Sequence, residues 1–160
     1  SPFLYLEFFE MSSREYGYIF SINSIGFVIA SQINAKILKK TPLDVALRRA
    51  LIAPAIAALA LIFIAPLYPN FYFVTFLFFI TLCSCGMIMP NTSALALANH
   101  AQRSGSASAL LGTIQFVLAA IMSLLISNLH DGTIVPTCII VGVCSFLPLV
   151  INKFTTARHQ

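Results

Sequence analysis

The chain has 160 residues, of which 59% are hydrophobic and only 9% charged, with a net charge of +4 and a mean hydropathy of +0.92. Soluble domains carry roughly 25% charged residues, so the composition excludes an ordinary water-soluble globule and points to a bilayer. It also excludes a nucleic-acid binder, because the basic residues form no single patch interleaved with aromatics but fall in alternate gaps between hydrophobic runs.

Residues 1–10 enter an apolar run at once through Phe3, Leu4, Tyr5 and Leu6, with no signal-peptide pattern. A helix needs about 20 apolar residues to cross a bilayer core, so this stretch reads as the tail of a truncated span and the chain as a fragment. A first complete span is expected over 17–38, about 33 Å long at about 1.5 Å per residue. A second is expected over 50–67, closing on the breakers Pro66, Pro69 and Asn70. The third, 71–98, is longer than a bilayer needs and is expected to tilt or to kink at Pro90. A fourth over 105–127 and a fifth over 133–151 complete the set. Short connections make neighbours antiparallel. The expected fold is all-α, a polytopic membrane protein with one transmembrane domain and no separate soluble domain.

Charge then orients the spans. Lys36, Lys39, Lys40, Arg48 and Arg49 fall in the gap after the first span, Arg103 in the gap after the third, and Lys153 and Arg158 in the tail, all on one side, against Asp44 alone. The opposite side carries Glu7, Glu10, Glu15 and Asp131 with Arg14. The positive-inside rule makes the basic side cytoplasmic, the C-terminus included.

Polarity divides the spans. The second has no hydrogen-bonding side chain and the fifth few, so both are expected to face lipid over most of their circumference. The first carries Ser21, Asn23, Ser24, Ser31, Gln32 and Asn34; the third Thr81, Ser84, Asn91, Thr92 and Ser93; the fourth Ser106, Ser108, Thr113, Gln115 and Ser123. An unpartnered amide in hydrocarbon costs several kcal/mol. These three helices are therefore expected to face one another, a partner domain or a wet cavity. For Asn23, Gln32, Asn91 and Gln115 two readings stay open: cavity lining, or ties between helices. Gly105, Ser108 and Gly112 put small side chains at spacings that permit close helix approach. Gly86 leaves room for the ring of Pro90, and Asn91 or Thr92 is expected to bond the carbonyl that the proline frees. The Gly86–Asn91 segment is either a structural kink or a hinge beside a cavity.

No ionisable side chain lies near the middle of a complete span, so an intramembrane proton relay has no carrier here. His100, His130 and His159 sit in connections or the tail. No zinc-binding His pair, phosphate-cradling glycine loop or nucleophile elbow occurs, and no span offers a base to activate a nucleophile. No cofactor or metal is expected, and the chain is not read as an enzyme. Cys83, Cys85, Cys138 and Cys144 lie inside apolar runs as small packing residues.

Three stretches carry a resemblance: Ser1-Pro2-Phe3 with Tyr5 before Gly17, Tyr18, Phe20 and Asn23; Gly86 to Pro90-Asn91 and the alanine-leucine run beyond; and Ser104-Gly105-Ser106 with Ser108, Gly112 and Gln115. They resemble the bicyclomycin-resistance (Bcr/CflA) drug-efflux branch of the major facilitator superfamily. The resemblance implies the C-terminal half of a twelve-helix bundle, the end of helix seven plus helices eight to twelve, with seven, eight, ten and eleven lining the central cavity. It implies a multidrug antiporter in the bacterial inner membrane, coupling protons to export of small hydrophobic drug-like compounds by alternating access. Its partners would be the bilayer and an N-terminal six-helix half. Substrate would meet Asn23, Gln32, Asn91 and Gln115 as hydrogen-bonding groups and Phe20, Phe27 and Phe116 as apolar surface. The rival readings are a facilitator for sugars or other metabolites and a non-transporting membrane scaffold.

Overall fold

The computed structural model describes residues 5, 9–68, 70–98, 104–129 and 135–157, with side chains described as far as residue 151. Among them the regular elements are all helical: α1 Ser13–Ile37, α2 Leu43–Ala50, α3 Ile52–Phe63, α4 Phe71–Ala98, α5 Ser104–Asn128 and α6 Val135–Ala157. Of the expected partial span 1–10, only Tyr5, Phe9 and Glu10 are described.

The helix ends follow local chemistry. Ser12 caps α1 in a reciprocal box: its hydroxyl accepts from the Glu15 N–H at 3.3 Å, and Glu15 Oε2 accepts from the Ser12 N–H at 3.0 Å. The Ser12 hydroxyl also donates to that carboxylate, and these bonds, ahead of the apolar stretch, hold Glu15 below the usual carboxylate range. Just upstream, Glu10 takes a left-handed φ of 50° while the Met11 N–H closes a wide turn onto the Tyr5 carbonyl at 3.0 Å. Before α4, Asn70 Oδ1 accepts from the Tyr72 and Phe73 N–H groups at 3.0 and 3.3 Å. Asn70→Ala should therefore cost about 1 kcal/mol. Unfolding of the full-length protein in detergent tests this, and an unchanged midpoint would remove the cap from the account.

The stretch expected as one span over 50–67 is built differently. It joins the amphipathic α2, which buries Ala46, Leu47 and Ala50 and exposes Asp44, Arg48 and Arg49, to α3 through the single residue Leu51. Pro54, in the first turn of α3, has no N–H for the Ala50 carbonyl, which is why the helix breaks there. The α3 helix stops at Phe63, ahead of Pro66, through bonds from the Ile64 and Ala65 N–H groups to the Ala60 carbonyl. Among the described residues, three stretches are long and apolar enough to cross a bilayer: Leu43–Phe63 counted across the break, Phe71–Ala98 and Ser104–Asn128. The α1 helix is long but carries the polar residues noted above, and the apolar part of α6, Val135–Ile151, is shorter.

Packing centres on α4. The buried core gathers Ala57, Leu61 and Ala65 from the α3 side, Val74, Leu77 and Phe78 from α4, Cys138 from α6, and Tyr5. Tyr5 is 2% exposed and meets Phe71 and Phe78 edge-on at 6.3 and 6.4 Å, pinning the N-terminal segment to α4. The second span was expected to face lipid over most of its circumference, and the structure divides it into a buried and an exposed face. Its alanines make one smooth face, with Ala55, Ala57 and Ala58 buried, while Ile52, Ile56, Leu59 and Phe63 remain exposed on the other. A Cβ at Gly142 of α6 would lie 2.5 Å from Ile62 Cγ1 and 3.1 Å from the Ala58 carbonyl, so α3 and α6 meet almost backbone to backbone.

Candidate functional site

The polar seam begins where α1 lies along α4. Gly26 of α1 faces Phe79 and Cys83, and further along Gly86 of α4 faces Phe27. Beyond both, Asn34 meets Asn91. Residue numbers rise together along both helices, so the two run parallel, as the charge-derived alternation of sides requires.

At Gly86 an added Cβ would collide with the Phe27 backbone carbonyl oxygen and come within 3.3 Å of its carbon. The glycine is where two helix backbones touch. The α4 helix continues through Pro90 to Ala98. Neither side chain expected at the freed carbonyl of Gly86 reaches it: Thr92 Oγ1 bonds the Ile88 and Met89 carbonyls at 2.9 and 3.0 Å, and Asn91 turns to α1.

Asn91 is fully buried, and its amide closes a two-way pair with Asn34. Asn34 Nδ2 donates to Asn91 Oδ1 at 2.8 Å, and Asn91 Nδ2 donates to Asn34 Oδ1 at 3.0 Å. In this arrangement the Asn91 amide is turned to Asn34 and away from open space, so it ties the helices rather than lining a cavity. Asn34, a polar residue of the first span, was not among the candidate site residues. The signal that could have found it is depth: Asn34 and Asn91 lie nearly equally far along parallel helices that start at Ser13 and Phe71.

The hydroxyls resolve locally. Ser21, Ser24, Thr81, Ser84, Thr113 and Ser145 each donate to the carbonyl four residues earlier, at 2.7–2.9 Å. They satisfy themselves within their own helices and demand neither water nor a neighbour.

Three amides remain open. Asn23 is buried at 9% exposure on the α4-facing side of α1, while Gln32 and Gln115 are exposed. Gln32 lies on the side of α1 turned away from α4, given the period of about 3.6 residues. Of the aromatic candidates, Phe27 is half-buried against Gly86, whereas Phe20 and Phe116 are 61% and 80% exposed. The structure thus brings Asn91 and Phe27 into the α1–α4 seam and leaves Gln32, Gln115, Phe20 and Phe116 on open faces.

The α5 helix touches α4 and α6 only lightly, with none of its side chains buried. Cβ atoms at Gly105 and Gly112 would meet nothing within 4 Å, and Ser108 is exposed. Among the described residues, no helix lies against these small residues, which were expected to permit close approach. Lys36, Lys39, Lys40, Arg48 and Arg49 gather at one end, around the α1–α2 turn and the last turn of α2. Arg103 lies outside the described residues. No group of three or more metal-ligating side chains occurs among the described residues.

Comparison with known proteins agrees with this all-helical, membrane-length architecture. A bicyclomycin resistance protein homolog of Haemophilus influenzae is 26% identical over 156 residues, 98% of this chain and 39% of that protein. An uncharacterized MFS-type transporter of Bacillus subtilis, YdgK, is 30% identical over 157 residues, 96% of this chain and 37% of that protein. The chain therefore spans about two fifths of the length of these curated relatives. No solved structure matches it. The family profile described as Major Facilitator Superfamily matches residues 1–124, and on that match, together with the helices just described, the chain belongs to the major facilitator superfamily.

Proposed function

We propose that this chain forms the C-terminal half of a drug-efflux transporter. It would complete a central cavity with an N-terminal six-helix half and export small hydrophobic compounds by alternating access. The carrying observation is the match of 98% of the chain to a protein named for bicyclomycin resistance. The uneven burial of the helices supports it: α1 and α4 form a close pair, while α5 leaves Gln115, Phe116 and its small-residue edge exposed among the described residues. That face is assigned to the cavity and to the other half. No carboxylate, histidine, lysine or arginine lies in the middle of α1, α4 or α5, where α4 offers only the thiols of Cys83 and Cys85, so proton coupling is assigned to the N-terminal half. The alternating basic gaps support a bacterial inner-membrane location with a cytoplasmic C-terminus.

Within the cavity, Gln32, Gln115 and Asn23 serve as hydrogen-bonding groups and Phe20, Phe27 and Phe116 as apolar surface. Asn91 acts by holding α4 on α1. In cells expressing the full-length transporter, Gln115→Ala and Gln32→Ala should each lower drug efflux about fivefold, the worth of one hydrogen bond, without loss of membrane expression. Wild-type efflux from both variants at equal expression would remove these amides from the substrate path.

A further inference from the structure

A cleft of about 600 Å³ opens at the basic end between α1, α2, α3 and α4. Its rim carries three cations: Lys36 from the last turn of α1, Lys40 from the turn that follows, and Arg49 from the last turn of α2. Its walls are mostly apolar, with Ile33 and Ile37 on α1 and Met87 on α4, beside Thr41 and a Ser84 whose hydroxyl is bonded to the Ile80 carbonyl. Among the described residues no carboxylate pairs with these cations; Asp44, the one acidic residue of this segment, lies in the first turn of α2 and does not line the cleft. Both parts need explaining. Three unneutralised cations around a concave site call for an anion, and the greasy wall calls for something with a hydrocarbon tail.

We propose that this cleft binds an anionic glycerophospholipid of the surrounding bilayer. The phosphate would sit among Lys36, Lys40 and Arg49, and one acyl chain would lie against Ile33, Ile37 and Met87. Arg49 suits a phosphate because its planar fork can take two oxygens at once, while the lysines act as point charges from the other side. Basic recesses between spanning helices are a physical setting for acidic headgroups. Inorganic phosphate shares the headgroup chemistry but would leave the apolar wall uncovered, which is why the lipid is the assigned occupant.

The test uses the full-length transporter in mild detergent, with retained phosphatidylglycerol and phosphatidylcholine of matched chains counted by native mass spectrometry. Phosphatidylglycerol should be retained at least about tenfold better. Each cation near the surface contributes about fivefold, so Lys40→Gln with Arg49→Gln should weaken retention about 25-fold, whereas Lys39→Gln, off the cleft, should leave it unchanged. Lys40→Arg with Arg49→Lys should retain the lipid. If the double Gln variant fails to fold, salt titration of the wild type decides, because retention must fall as salt screens the cations. Equal retention of the two lipids, or retention indifferent to salt, overturns the proposal. Displacement by excess inorganic phosphate assigns the site to a free anion and overturns the lipid reading. A Lys40→Cys variant that no thiol reagent reaches would place the N-terminal half in the cleft, and that too overturns it.

Discussion

Gly86→Val is expected to lower the stability of the full-length transporter by about 3 kcal/mol or more, and Gly86→Ala by about 1–2 kcal/mol. Overpacking a well-filled interior costs about 1–3 kcal/mol when side chains can adjust. At Gly86 the obstacle is the Phe27 carbonyl, part of the α1 backbone, and relief requires moving a whole helix. Gly26 provides the internal comparison. A Cβ there would come within 2.6 Å of Cys83 Sγ and of the Phe79 ring edge, both side-chain atoms able to turn aside. Gly26→Ala should therefore cost clearly less than Gly86→Ala, although both sit in the same seam. Thermal unfolding in detergent reads the order directly. Equal melting of the two alanine variants would show that α1 and α4 do not touch at Gly86 as described.

Breaking the amide pair from one side should cost about 1–3 kcal/mol, because Asn91→Leu or Asn34→Leu strands a buried amide with no other partner. Replacing both should restore part of the loss, since two leucines of similar volume leave no polar group behind. Hydrogen bonds between membrane helices measured by double-mutant cycles average about 0.6 kcal/mol and reach about 1.7. The reciprocal, fully buried geometry here, with bonds of 2.8 and 3.0 Å, places this pair toward the upper end. Additive losses in the cycle would mean that the amides do not bond each other in the assembled protein. The same variants bear on function: if Asn91 acts by position, Asn91→Leu and Asn34→Leu should impair efflux alike.

Much of the architecture could be read from hydropathy and punctuation alone. The all-helical membrane class follows from the scarcity of charge. Pro66 and Asn70 mark helix ends with groups that do the same chemistry in any context, whereas the Ser12–Glu15 box, which starts α1 four residues ahead of the expected span, was not read. What else escaped was whatever depends on a second helix. Nothing local distinguishes Gly86, a backbone crossing, from Gly112, which faces open space, since both are glycines among apolar neighbours. Asn91 and Gln115 likewise look equivalent as isolated amides, yet one meets a matching amide at equal depth and the other is exposed. The break at Leu51 was hidden because hydropathy averages over residues, whereas a proline acts on one carbonyl four residues back. Hydroxyls such as Ser21, Ser24, Thr81 and Ser84 misled in the opposite direction: counted as polarity they enlarge the seam, but each bonds back to its own helix.

That break also governs how the protein meets its lipid. The twelve residues of α3 rise only about 18 Å, well short of a hydrocarbon core about 30 Å thick, while α4 beside it, at 28 residues, extends about 42 Å. Reaching across on the α3 side means drawing α2 down from the interface, guanidinium groups of Arg48 and Arg49 included. Those two side chains must then stretch their heads back toward water along their methylene stems, or the leaflet must dip to meet them. The two flanks therefore match different hydrocarbon thicknesses, and the energy of that misfit varies with acyl-chain length.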